Sequence, residues 1–114
     1  MERRKYARIK KTLTVQYSHK DKEKWDMSII KDISETGICI ATNKNFPLTE
    51  IINFRIKMPS EPFRWLELYG KVVECEEVIS GTYITRAEFI YLEVEQKKII
   101  KAYIAWVLGK GGKK

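Results

Sequence analysis

Two short runs of this 114-residue chain carry side chains suited to gripping a polar, anionic molecule: Arg3-Arg4-Lys5-Tyr6-Ala7-Arg8 and Asp32-Ile33-Ser34-Glu35-Thr36-Gly37. A guanidinium is a planar fork of N–H donors, and it meets a phosphate, or the O6 and N7 edge of a guanine, with two parallel hydrogen bonds. Arg4 and Arg8 lie four positions apart; on a strand they share a face at roughly 13 Å, and a tighter turn brings them closer. Asp32 adds a carboxylate able to accept from a ring N–H and an amino group, the edge an arginine does not address, and Ser34 adds a hydroxyl beside it. Gly37 has no Cβ and is free to take φ > 0, so the backbone can turn sharply there and approach a ligand. Each run alone also has an ordinary explanation. Basic stretches contain Arg-x-x-x-Arg by chance, and Asp32 and Ser34 can hydrogen-bond their own turn.

Charge supports an anionic partner. The formal net charge is +7, and residues 1–24 hold nine Lys or Arg against three acidic residues. Arg86, opposite in face to Ala87 and Phe89 by strand alternation, is a further cation able to meet a phosphate. Other chemistries lack their residues. His19 is the only histidine, in a charged stretch with no imidazole or cysteine spaced to share a metal, so no metal site is expected. There is no Gly-x-Ser-x-Gly elbow, Walker-type loop or His-Glu-x-x-His. Glu76-Glu77 precedes a turn, where carboxylates are commonly solvated, and the chain reads as a binder rather than an enzyme. Cys39 and Cys75 are too few for a disulfide framework and read as reduced thiols in strands. No apolar run approaches the roughly 20 residues of a bilayer span, and MERRKYARIKK has no apolar export core, so no membrane insertion and a cytoplasmic location are expected.

The elements that must position these groups are mostly strands. Leu13, Val15 and Tyr17 alternate with polar residues, a charged turn follows through Lys24, and Trp25, Met27 and Ile29 resume the period of two. Ile38 to Ala41 is a third strand, and Ile52, Phe54, Ile56 and Met58 mark a fourth. A long fifth strand runs from Arg64 to about Glu76, with Gly70 expected as a bulge or bend, and a sixth from Tyr83 to Tyr91 follows a Ser80-Gly81 turn. Six short strands predict a closed antiparallel β-barrel, because closure removes exposed edges. From Glu93 the period becomes helical: Ile99, Ile100, Tyr103, Ile104, Val107 and Leu108 form one stripe, with Gly109 as its expected end.

Arg4-x-x-x-Arg8, then about two dozen residues with two strands, then Asp32-x-Ser34-x-x-Gly37, a strand-rich body and a terminal helix: this arrangement resembles the PilZ family over essentially the whole chain. The resemblance implies cyclic di-GMP as ligand, with no other cofactor. Arg4 and Arg8 would contact guanine edges and phosphates, with Arg3 assisting, while Asp32, Ser34 and Gly37 form the base-selective turn. It also implies bacterial second-messenger signalling to a protein effector partner, in processes such as motility and biofilm formation. The expected organisation is a flexible ligand-binding arm over residues 1–10, a barrel with its helix over 11–109, and a disordered tail over 110–114. With no output domain expected on the chain, the ligand would draw the arm onto the barrel and so make a surface for the partner. Two readings compete. A small basic barrel binding RNA or single-stranded DNA would spread its affinity over many lysines with steep salt dependence, whereas a dinucleotide site concentrates it in a few residues. A PilZ-like scaffold binding only protein goes with degraded motifs, and here they are intact.

Overall fold

Ile52, Phe54, Ile56 and Met58 are each at most 5% exposed, so the cleanest alternation in the sequence does define an inner face. The structure, a computed structural model, describes residues 8–9, 13–19, 24–58 and 64–111. Arg3 and Arg4 of the expected arm lie outside them. Seven strands are present: β1 (Arg8–Ile9), β2 (Thr14–His19), β3 (Asp26–Ser34), β4 (Gly37–Thr42), β5 (Ile51–Met58), β6 (Arg64–Ile79) and β7 (Thr82–Ile90), followed by helix α1 (Val94–Gly111). All pairings are antiparallel in the order β3-β2-β5-β6-β7-β4, and β4 returns to β3, which closes a six-stranded barrel. The six expected strands and the terminal helix are therefore all found. The additional strand, β1, lies within the segment read as an arm; it pairs with β3 beyond the end of β2, along the same edge.

The core is one cluster. Val15, Tyr17, Ile30, Ile38, Ile40, Phe54, Leu68, Val72 and Ala87 fill the barrel, and Ile100, Tyr103 and Ile104 of α1 join them. Burying each large aliphatic or aromatic side chain contributes roughly 1.5–3 kcal/mol, which is what holds so short a set of strands closed. The helix runs to Gly111, past Gly109. A helical glycine costs only about 1 kcal/mol relative to alanine, too little to end a helix whose preceding turns are held by packing.

Three local expectations are corrected, and β3 turns two apolar residues outward. Met27 and Ile29 do lie on a strand, but they are 65% and 50% exposed. Val15 and Tyr17 take the inner face, so the residues opposite them in the register, Ser28 and Asp26, must share it. His19 is the last residue of β2 rather than part of a turn. Gly70 makes no bulge: it pairs in register with Ile52 and Phe89, and the shifts in β6 fall later, between Val72 and Glu74 and between Glu77 and Ile79. Glycine is needed there for space, since a Cβ would sit 2.7 Å from the Phe54 ring. Lastly, Asp32 and Ser34 are strand residues of β3, and only Glu35 and Thr36 form the hairpin loop.

Candidate functional site

The position of Asp32 depends on one extra residue. Ile30 pairs with Ile40 and Asp32 with Cys39, so β3 advances two residues while β4 advances one, and Lys31 is the bulge. Ile30 and Ile33 both face the core as a result. Without the bulge, Asp32 and Ser34 would follow Ile30 into the barrel by alternation; with it, they turn to the outer face. They are nonetheless well shielded from solvent, Asp32 at 6% and Ser34 at 1%.

A row of side chains crosses four strands on this outer face. Asp32 of β3 pairs with Cys39 of β4, Cys39 with Arg86 of β7, and Arg86 with Glu74 of β6. The Arg86 guanidinium forms an ion pair with Glu74, Nε to Oε1 at 3.1 Å, and its Nη1 lies 3.9 Å from Asp32 Oδ1. Arg86 thus bridges two carboxylates, and its side chain keeps about a third (36%) of its surface exposed. Its outward direction agrees with the alternation read from Ala87. Ser34 Oγ accepts from the Thr36 N–H at 3.2 Å and lies 3.2 Å from the Thr36 hydroxyl, so this serine orders the two-residue loop.

The backbone also brings the two sequence runs together: Arg8 of β1 pairs directly opposite Ser34. Gly37 closes the loop, for a reason other than the one its type suggested. Among the described glycines only Gly81 has positive φ. At Gly37 a Cβ would stand 2.6 Å from the Ala87 carbonyl oxygen, so the absent side chain is what lets β4 lie against β7. The adjoining Thr36 carbonyl accepts from Phe89 N–H at 2.9 Å, fixing the loop to the same strand.

Sequence reasoning missed two members of the row. The alternation marks Cys39 only as a strand thiol; it is buried and outside any disulfide, and it sits between Asp32 and Arg86. Glu74 carried no signal, because a second bulge, at Val73, sets it opposite Arg86.

A second polar cluster lies at the other end of β3. Tyr17, His19, Lys24, Asp26, Lys44 and Phe46 line a cavity of about 130 Å³. The Tyr17 hydroxyl donates to Asn43 Oδ1 at 3.0 Å and accepts from the Asn43 N–H at 3.1 Å, His19 contacts Glu50, and Phe46 packs edge-on to both rings. Burial pushes the Tyr17 hydroxyl pKa up, the Asn43 backbone bond partly offsets this, and the nearby Asp26 charge raises it further. Among the described residues, no group of three His, Cys, Asp or Glu side chains could hold a metal ion, and no helix is long and apolar enough to cross a membrane.

Comparison with solved structures finds the same fold in three other proteins. The chain superposes on the inhibitor of motility MotI/DgrA of Bacillus subtilis with a TM-score of 0.76 at 22% identity, covering 96% of this chain and 54% of that one. It superposes on the PilZ domain of YcgR from Escherichia coli, solved with c-di-GMP, with a TM-score of 0.68 at 16% identity, covering 99% and 100%. For the K. pneumonia MrkH–c-di-GMP complex the TM-score is 0.70 at 17% identity, covering 100% and 57%. The chain therefore spans about half the length of MotI and MrkH, and at these identities the likeness is one of fold. No curated protein matches by sequence. The family model for the PilZ domain matches residues 2–106, which include both motifs, the whole barrel and most of α1. With nearly the full chain matched, this protein belongs to the PilZ domain family.

Proposed function

We propose that this chain is a receptor for cyclic di-GMP, which it binds on the outer face carrying Asp32, Ser34 and Arg86 and whose presence it signals to a partner protein without catalysis. One observation carries the reading most directly: the β1–β3 register sets Arg8 opposite Ser34, so the two motifs meet at one place on the barrel. Asp32 accepts from the guanine N1–H and amino group, and its shielding from water strengthens those bonds. Arg8 and Arg86 meet guanine acceptors and phosphate oxygens, and Arg4 and Arg3 join them from the segment ahead of β1. Ser34 and Gly37 hold the loop in the shape the ligand requires. The ligand joins the segment ahead of β1 to the barrel beside the Arg8–Ser34 pair, and the surface so made is what the partner reads. Family membership supports the reading, as does the presence of c-di-GMP in the YcgR and MrkH structures. The test is titration calorimetry with cyclic di-GMP. The wild type should bind at micromolar ligand, and Arg8→Ala and Asp32→Ala should abolish the heat. Absence of wild-type binding, with oligonucleotide binding that weakens steeply in salt, would replace this reading by the nucleic-acid one.

A further inference from the structure

We infer that Glu74 restrains the site: its carboxylate occupies the Arg86 guanidinium, and an incoming phosphate must take the arginine from it. The inference rests on the cyclic di-GMP reading above and concerns its regulation. The two contacts of Arg86 differ in distance. Its Nε lies 3.1 Å from Glu74 Oε1 in a close ion pair, whereas its Nη1 stands 3.9 Å from Asp32 Oδ1, a looser charge attraction. Arg86 therefore sits nearer to Glu74 than to the carboxylate of the motif.

The placement of Glu74 is built into the fold. Val72 pairs with Ala87 on the inner face, and the extra residue Val73, 43% exposed, lets Glu74 rather than Val73 come opposite Arg86. Had β6 run without the bulge, an apolar side chain would face the arginine and the guanidinium would be open to the ligand. The side chain of Glu74 is 57% exposed and that of Arg86 36%, so water and ions screen the pair. A screened pair adds little to the fold and breaks readily, as a competing contact must. Glu74 thus sets a negative charge beside the arginine, which works against an incoming dianionic dinucleotide.

Calorimetry with cyclic di-GMP on the full chain tests this. Glu74→Gln keeps the size of the side chain and removes its charge, and it should bind roughly two- to tenfold more tightly than wild type, the range expected for releasing one screened pair and one repulsive charge. In the Arg86→Ala background the same substitution should give no gain, since the restraint acts through the arginine. Glu67→Gln, seven residues earlier on β6 and paired with Arg55 at 3.4 Å, changes net charge equally and should leave affinity unchanged. Unchanged or weaker binding by Glu74→Gln overturns the inference alone. So does an equal gain with Arg86→Ala or with Glu67→Gln, which would mean direct repulsion or bulk charge. A wild type that binds no cyclic di-GMP overturns both this inference and the function beneath it.

Discussion

The two ends of β3 carry similar chemical groups in opposite arrangements. Around Asp26, the Tyr17 hydroxyl both donates to and accepts from Asn43, His19 meets Glu50, Asn53 donates to the Ser18 carbonyl, and Phe46 packs edge-on to Tyr17 and His19. These groups satisfy one another in a regular frame, as β2 meets β5 without a register shift. Around Asp32 and Ser34 the frame is irregular. Bulges at Lys31 and Val73 turn Asp32 and Glu74 outward, and Arg86 is shared between two carboxylates with part of its surface in water. Polar groups in the regular part serve closure, while bulges release polar groups from the barrel's alternation and present them to something outside it. The one end should thus govern stability and the other affinity.

Phe46→Ala should break the closed end most severely. Phe46 is 3% exposed, and truncating such an aromatic costs about 3–5 kcal/mol, readable by urea denaturation. Folded Phe46→Ala protein should bind cyclic di-GMP as wild type does, and a parallel loss of affinity would dissolve the distinction between the ends. Gly37→Ala is the variant at which the two properties should fall together. Its methyl would meet the Ala87 carbonyl oxygen at 2.6 Å, so β4 must shift, costing about 1–3 kcal/mol and displacing the loop beside Ser34. Denaturation and calorimetry on that one variant should both move. Tyr17→Phe should cost about 1 kcal/mol, because the Asn43 N–H and side-chain carbonyl lose their partner, again with affinity intact.

Tyr103 on α1 lies apart from both clusters and should give the smallest effect. Among the described residues its buried hydroxyl has no hydrogen-bond partner, so Tyr103→Phe should be neutral or stabilising by up to about 1 kcal/mol. Burial raises its pKa above the ordinary 10.0, as it does for Tyr17. The folded state then holds protons that the unfolded state has lost. Stability from these two groups is complete below that ordinary value and falls as pH rises through the raised folded values. Thermal melts at alkaline pH should show this loss reduced in Tyr103→Phe and reduced further when Tyr17→Phe is added.

Much of this protein was legible in its residues. Alternation at Ile52, Phe54, Ile56 and Met58, the Ser80-Gly81 turn and the helical stripe through Ile100, Tyr103 and Ile104 are local signals, each set by neighbours in the chain, and each has its expected counterpart in the fold. Arg8, Asp32, Ser34, Gly37 and Arg86 were likewise nameable from type and spacing. Their geometry was not. Asp32 and Ser34 read as turn residues although they end a strand, and the alternation through Met27 and Ile29 leaves their face open, because a period of two specifies alternation without saying which side is inside.

By itself, the sequence determined the kinds of element, their order and the identities of the groups able to meet an anion. Only the tertiary structure decided that Asp32 and Ser34 face outward, that Arg8 stands opposite Ser34, that Gly37 is needed for the Ala87 carbonyl rather than for a left-handed turn, and that Glu74 pairs with Arg86. The reason is that a bulge inverts alternation for every residue after it. Where a bulge forms is settled by the register against the paired strand, β4 for Lys31 and β7 for Val73, and a period of two in one strand does not record that.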